Sequence, residues 1–323
     1  MEIVTYSRNI FIPLTNACRN KCAYCGFRSS NPTLLEPSEV DALLLRVNNA
    51  SEALFTFGER PEVFPQISEK LKRIGYKDFI SYIIDMNQLA ISRGLLPHTN
   101  AGILSKEEIK KLKPYNASMG LMLEQAVELK CHENSPGKKP EKRIKMIKEV
   151  GKLSIPFTTG LLVGIGETHY DRIYSLEVIN ELHKNYGHIQ EVIIQNFQPK
   201  KGTEMEKCKP PSTEEMLETV KNARDILNSE ISIQIPPNLV KDIYPFLKAG
   251  ARDLGGISDF TDYINPEHPF PSVKEIEKQL GNEFVLRERL PIYPDYIKRG
   301  WFSEALSKLI NRLSDQGGFR CYS

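Results

Sequence analysis

A short apolar run followed by an amphipathic helix recurs eight times along these 323 residues, and this beat restricts the fold more than any other feature. The predicted strands are 10–14, 53–57, 96–101, 116–123, 157–163, 191–197, 231–235 and 253–256. Helices are predicted at 37–48, 61–73, 140–153, 168–185, 212–228, 243–248 and 272–280, with additional ones at 78–93 and after Ser105, where Glu108 completes a capping box. A helical crossover returns the chain to the same end of a sheet, so the strands run parallel. Eight parallel strands close into a barrel of the TIM type, whose usual size this chain matches, and a doubly wound open sheet is the structural alternative. With no linker or low-complexity segment, the chain reads as one domain, with the barrel over 1–282. Residues 283–323 read as an extension with a helix at 303–315. Its stripe of Leu306, Leu309, Ile310 and Leu313 suits packing on one end of the barrel.

Composition excludes several classes. Charged residues are 26%, hydrophobic ones 40% and the net charge is +2, so no overall field draws the chain to nucleic acid or a membrane. Neither an apolar run of membrane-spanning length nor a signal peptide is present, and the six cysteines form no even framework. A cytoplasmic location is expected.

Half of those cysteines carry the chemistry. Cys18, Cys22 and Cys25 follow the first predicted strand at the spacing C-x3-C-x2-C. Three thiolates at this spacing can ligate three irons of a 4Fe-4S cube and leave the fourth iron open to a substrate. Zinc commonly takes two C-x2-C pairs or paired histidines, and no second pair exists here. In parallel barrels the site lies at the carboxyl ends of the strands, so residues after other strands are the next candidates. Gly58 and Glu59 follow the second strand in a turn with exposed carbonyls, which is also what a plain strand-to-helix turn looks like. Glu124 is placed at the end of the fourth strand and Arg143 early in the next helix. The two could hold the ammonium and carboxylate of a zwitterion, and a surface salt bridge is the ordinary alternative. Gly164 and Ile165 lie in a glycine-rich turn after the fifth strand, and Gln195 ends the sixth. No Lys-Ser/Thr follows the glycines, which excludes a triphosphate loop. His98 and Asn100 share one face of the third strand and could meet ribose or substrate, or only each other. His132 lies close to the Glu124–Arg143 pair in sequence and is a further substrate candidate.

The cysteine spacing, with Tyr24 just before the third thiol, resembles the signature of the radical S-adenosylmethionine (SAM) superfamily. Gly58-Glu59 resembles its Gly-Gly-Glu segment, with Phe57 in the first glycine's place, and 160–167 resembles its G-x-I-x-G-x-x-E segment, with Leu162 in the Ile place. The resemblance implies a cluster whose open iron chelates SAM and a one-electron cleavage that yields a 5'-deoxyadenosyl radical. It also implies SAM contacts from Tyr24, Gly58, Glu59, Glu124, Arg143, Gly164, Ile165 and Gln195. Segments 25–27, 132–143, 164–168, 195–197 and 254–271 are similar to the CofG family of deazaflavin synthase subunits. That similarity implies a substrate made from a hydroxybenzyl group and a ribitylaminouracil, cyclised with loss of ammonia. It further implies a CofH-like companion subunit and a low-potential electron donor. Another biotin-synthase-like enzyme, such as a hydrogenase-maturase relative, and a non-catalytic metal-binding scaffold are the competing readings.

Overall fold

The computed structural model describes residues 1–47, 49–258 and 264–322. The barrel strands are β1 (Glu2–Ile12), β2 (Glu52–Thr56), β3 (Leu96–Asn100), β4 (Ser118–Gly120), β5 (Phe157–Val163), β6 (Ile189–Asn196), β7 (Ser232–Gln234) and β8 (Asp253–Ile257). They are hydrogen-bonded in sequence order from β2 to β8, then to β1, and β1 pairs back onto β2, so the sheet closes. Every pairing is parallel. The closed barrel replaces the open-sheet alternative.

Helices α1 (Pro37–Leu44), α2 (Pro65–Arg73), α3 (Phe79–Ser92), α4 (Lys106–Leu112), α5 (Pro140–Lys152), α6 (His169–Tyr186), α7 (Thr213–Ile226), α8 (Tyr244–Lys248) and α9 (Val273–Gln279) make the crossovers. Several starts are written locally. Ser105 and Glu108, Ser212 and Glu215, and Ser272 and Glu275 form reciprocal caps in which each side chain takes the other's backbone N–H. The principal apolar core lies between strands and helices and draws on Ile12, Phe55, Met119, Phe157, Ile194 and Ile233 from the strands.

Several boundaries depart from the sequence reading, among them the helix predicted at 61–73, which begins at Pro65. Strand 1 begins eight residues earlier than predicted, at Glu2, because its first half pairs with a ninth strand, β9 (Phe284–Glu288), which the tail hides in a mixed polar sequence. Strand 4 is only Ser118–Gly120, so Glu124 lies beyond it and meets β5 through an isolated bridge to Leu161. The first helix stops at Leu44, and Asn48, the predicted end, lies outside the described residues. So do residues 259–263 within the 254–271 segment.

The tail continues into α10 (Pro294–Lys298) and α11 (Glu304–Leu313). The stripe Leu306, Leu309, Ile310 and Leu313 is buried with Leu290, Ile292 and Tyr296 against Leu96 and Ala117, at the amino-terminal ends of β3 and β4. The Pro291 carbonyl accepts Ser118 Oγ at 2.8 Å and Gln190 Nε2 at 2.9 Å. Residues after β9 thus close the amino-terminal end of the barrel, and the carboxyl end is left for chemistry. Among the described residues no helix is long and apolar enough to cross a membrane.

Candidate active site

The cysteine loop leaves β1 at the carboxyl-terminal mouth of the barrel. It is fixed by partners on two other loops. On one side Arg19 N–H donates to the Glu59 carbonyl at 2.9 Å and Gly58 N–H to the Thr15 carbonyl at 3.2 Å. On the other, Lys21 N–H reaches the Asn134 carbonyl at 3.2 Å, Ala23 N–H the Cys131 carbonyl at 2.9 Å, and Gly137 N–H the Asn20 Oδ1 at 2.8 Å. Segment 132–137, singled out in the sequence, is therefore the cradle of the cysteine loop. Gly58 is required by contact: a Cβ there would stand 1.9 Å from the Ala17 carbonyl oxygen and 2.8 Å from Cys18 Cβ.

Cys18, Cys22 and Cys25 are free thiols that line a single cavity of about 380 Å³. That is within the usual range for a small-molecule site. Cys18 Sγ accepts the Glu59 N–H at 3.3 Å and Cys22 Sγ accepts Ser135 Oγ–H at 3.4 Å. Burial raises the pKa of both thiols. Among the described residues no three Cys, His, Asp or Glu side chains converge on a single ion, so the thiols share a wall rather than a point. Donors aimed at the sulfurs suit ligands of an iron–sulfur cluster, whose sulfurs such hydrogen bonds tune.

Tyr24, Gly58, Glu59, His98, Asn100, Glu124, Arg143 and Gln195 line the same cavity, as does Lys138, which sequence reasoning missed. Lys138 is salt-bridged to Glu124 Oε1. Burial opposes ionisation of Glu124, but Lys138 and Arg143 outweigh it, so its pKa lies below the ordinary value. Glu124 also holds a left-handed φ of 65°, fixed by Glu124 N–H to the Gly160 carbonyl (3.0 Å) and Leu162 N–H to its own carbonyl (3.2 Å). Such a conformation costs a non-glycine residue about 1–3 kcal/mol, and it is what aims this carboxylate at the cavity. Among the described residues Glu124 and Arg143 form no ion pair, so the ordinary surface salt bridge does not account for them. Arg143 is buried, and its guanidinium donates to the Met122 carbonyl (2.6 Å) and the Gly137 carbonyl (3.0 Å), with Glu59 Oε2 at 3.8 Å. Glu59 in turn takes Arg19 at 2.7 Å and Ile103 N–H at 3.1 Å. Its carboxylate fits beside Gly102 and Gly137, where a Cβ would stand 2.6 Å and 1.7 Å from its oxygens.

Three candidates lie outside the lining. Gly164 and Ile165 give their N–H groups to the Glu167 carboxylate, each at 2.8 Å, and Ile165 is packed with Cys131 and Phe197. Leu162, two positions before Gly164, lines the cavity instead, because alternation along β5 turns it inward. His132 is held through Tyr24, whose hydroxyl meets its Nε2 at 3.0 Å. Burial and Lys138 bring His132 down to about 4. His98 contacts Ser118 Oγ through Nδ1 at 2.7 Å, and burial lowers it to about 3, so it is a neutral group in the lumen.

Residues 12–179 match the Radical SAM superfamily model. A 7,8-didemethyl-8-hydroxy-5-deazariboflavin synthase of Archaeoglobus fulgidus is 64% identical over 321 residues, 99% of each chain. The chain belongs to this family within the radical SAM superfamily. A synthase of the same name from Methanococcoides burtonii is 55% identical over 326 residues, covering 99% of this chain and 98% of that one. Among solved structures, methylornithine synthase matches with a TM-score of 0.65 at 18% identity, over 86% of this chain and 81% of that one. The FeFe-hydrogenase maturase HydG from Carboxydothermus hydrogenoformans matches with 0.66 at 16%, over 97% and 78%. At these identities the two structures speak for the barrel fold alone.

Proposed function

We propose that this chain forms 7,8-didemethyl-8-hydroxy-5-deazariboflavin by cyclising 5-amino-5-(4-hydroxybenzyl)-6-(ribitylimino)-dihydrouracil with loss of ammonia. The observation that carries the reading is one cavity walled by Cys18, Cys22 and Cys25 together with Glu124, Lys138 and Arg143, in a chain so close to the named synthases. In this reading the three thiolates hold a 4Fe-4S cluster whose fourth iron is left for SAM. When bound, cluster and SAM supply a one-electron cleavage of the sulfonium and hence a hydrogen-abstracting radical.

The protein's own residues do the rest. Glu124 offers an acceptor for the ammonium of SAM, and Lys138 offers a cation to its carboxylate. Arg143 holds Met122 and Gly137 in place around them. Tyr24, Leu162 and Gln195 offer the walls and the amide that an adenine needs, and Leu162 takes the place first given to Gly164 and Ile165. The barrel excludes water and holds the substrate carbon within reach of the radical. A CofH-like subunit would supply the adduct, and a low-potential donor the electron.

The test is anaerobic incubation of the iron- and sulfide-reconstituted protein with SAM, reductant and the adduct. Fluorescent deazaflavin and ammonia in equal amounts are expected. Methionine and 5'-deoxyadenosine without deazaflavin would assign the barrel to a different radical reaction. No methionine at all would overturn the radical reading.

A further inference from the structure

The cavity extends well below the cysteines, and its chemistry changes with depth. On β2 the inward residues are Glu52, Leu54 and Thr56, and on β6, four strands round the barrel, they are Glu191, Ile193 and Gln195. From floor to mouth each strand therefore presents a polar, an apolar and a polar residue, in the layered manner of such barrels. The mouth layer adjoins the thiols. The floor layer takes no part in holding SAM, yet it is polar.

Its hydrogen-bonding capacity is not spent within the protein. Glu52 Oε2 accepts Ser7 Oγ at 2.6 Å, while Oε1 has no donor among the described residues. Glu191 accepts Thr158 Oγ1 at 2.8 Å and Arg289 at 3.2 Å. The side-chain amides of Asn9 and Gln234 have no partner among the described residues, although these residues are 6% and 7% exposed and line the cavity. Neighbouring glycines of β8 make the space they occupy: a Cβ on Gly256 would stand 1.9 Å from Asn9 Nδ2, and one on Gly255 2.4 Å from Gln234 Nε2. These groups face the cavity with donors and acceptors free, so the floor suits something that both donates and accepts hydrogen bonds. That something is not an anion. The cation at the floor, Arg289, is committed to Asp253 (2.6 and 2.8 Å) and Glu191, which leaves carboxyls and amides facing the lumen and no cation for a phosphate or carboxylate.

We propose that Asn9, Glu52, Glu191 and Gln234 bind the pyrimidinedione ring and hydroxylated chain of the substrate, with its phenol ring held between Leu54 and Ile193. This rests on the function proposed above and adds its specificity: the site takes a neutral polyol and rejects the same molecule phosphorylated on its chain. Ring amides and chain hydroxyls match the amide and carboxyl groups, and the apolar layer puts the ring that is closed next to the cofactor end.

The experiment compares three substrates on the reconstituted holoenzyme: the full adduct, the adduct with its chain cut to a methyl group, and the adduct phosphorylated on the terminal hydroxyl. Truncation and phosphorylation are each expected to raise KM by about tenfold or more, the worth of one or two lost hydrogen bonds. Gln234→Leu and Asn9→Ala should raise KM for the full adduct and shrink the truncation penalty, with SAM affinity by equilibrium dialysis unchanged. Either altered substrate turning over with a KM within about twofold of the parent in the wild-type enzyme overturns the inference whether or not the variants fold. Product from the full adduct with no such penalty removes this inference alone. Its absence removes the proposed function and this inference with it.

Discussion

Arg289 and Asp253 form a two-pronged ion pair across the barrel floor, Nε to Oδ2 at 2.6 Å and Nη2 to Oδ1 at 2.8 Å. Thr5 also donates to Oδ2, and the Tyr293 ring lies 4.2 Å from the guanidinium carbon. The pair ties β8 to the segment after β9, and so binds the tail to the barrel. Arg289→Met would keep much of the volume and strand two buried carboxyls, Asp253 and Glu191. A loss of about 3–5 kcal/mol is expected, read from urea unfolding, because breaking a buried pair leaves an uncompensated charge. A loss below about 1 kcal/mol would mean that the floor does not depend on this cation.

Gly58→Ala tests how tightly the cysteine loop is set. The new methyl meets backbone on one side and Cys18 Cβ on the other, so no flexible side chain can give way. Overpacking of this kind costs about 1–3 kcal/mol, and here it displaces a cysteine. Iron and sulfide bound after anaerobic reconstitution should fall severalfold. Full incorporation would show that the loop moves freely.

The barrel was legible because hydrophobic period and helix caps are local signals. β5 is found at its predicted limits, and Ser105, Ser212 and Ser272 cap helices as their sequences indicate. What escaped is non-local. β9 has no alternation of its own that marks it, and it exists because the first half of β1 offers it an edge. Arg289, Glu52 and Glu191 are far apart in sequence and look like surface charges until the barrel turns them inward. Lys138 stands among other lysines in the sequence, and only the folded loop shows that its side chain reaches Glu124. Leu162 was distinguishable from Gly164 by strand alternation alone. The left-handed turn at Glu124 had no glycine to announce it.

Cys22 and Ser135 separate holding a cluster from tuning it. Cys22→Ser removes one of the three proposed cluster ligands and should abolish visible iron–sulfur absorption and SAM cleavage together. Ser135→Ala removes one O–H donor to Cys22 Sγ and should leave iron content intact. Without that donor the reduced form is less stabilised, so the potential measured by redox titration should become more negative. An unchanged potential would mean that this hydrogen bond does not act on the cluster.

Glu191 should leave a mark on the pH dependence of stability. Burial pushes its carboxyl up to about 7, Arg289 opposes this, and Asp253 and Glu52 add to it. Between the ordinary value near 4.5 and about 7 the folded protein then holds a proton that the unfolded chain has released. Its contribution is present at low pH and is lost as pH rises through that window. Buried His98, lowered to about 3, acts in the opposite sense below 6.5. Glu191→Gln isolates the first effect. The variant should gain stability relative to wild type as pH rises from about 5 to 7, in urea titrations at each pH. A difference that does not change with pH would show that Glu191 is already ionised at pH 5.

The remaining question at the mouth is whether Glu124 and Arg143 act alike. Glu124 presents its carboxylate to the cavity from a strained backbone, whereas Arg143 is spent on the carbonyls of Met122 and Gly137. Glu124→Gln keeps the shape and removes the charge, so SAM affinity should weaken by about tenfold with iron content unchanged, since a charge-assisted hydrogen bond is worth about 1.5–3 kcal/mol, and loss of the Lys138 pair should lower folding stability. Arg143→Ala should weaken SAM binding as well, with the cluster intact, but it also frees two buried carbonyls and so should lower the unfolding midpoint. Equilibrium dialysis with SAM and urea unfolding on both variants give the answer. If Arg143→Ala weakened binding with no loss of stability, its guanidinium would be a direct ligand of the cofactor carboxylate and the carbonyl contacts would be incidental.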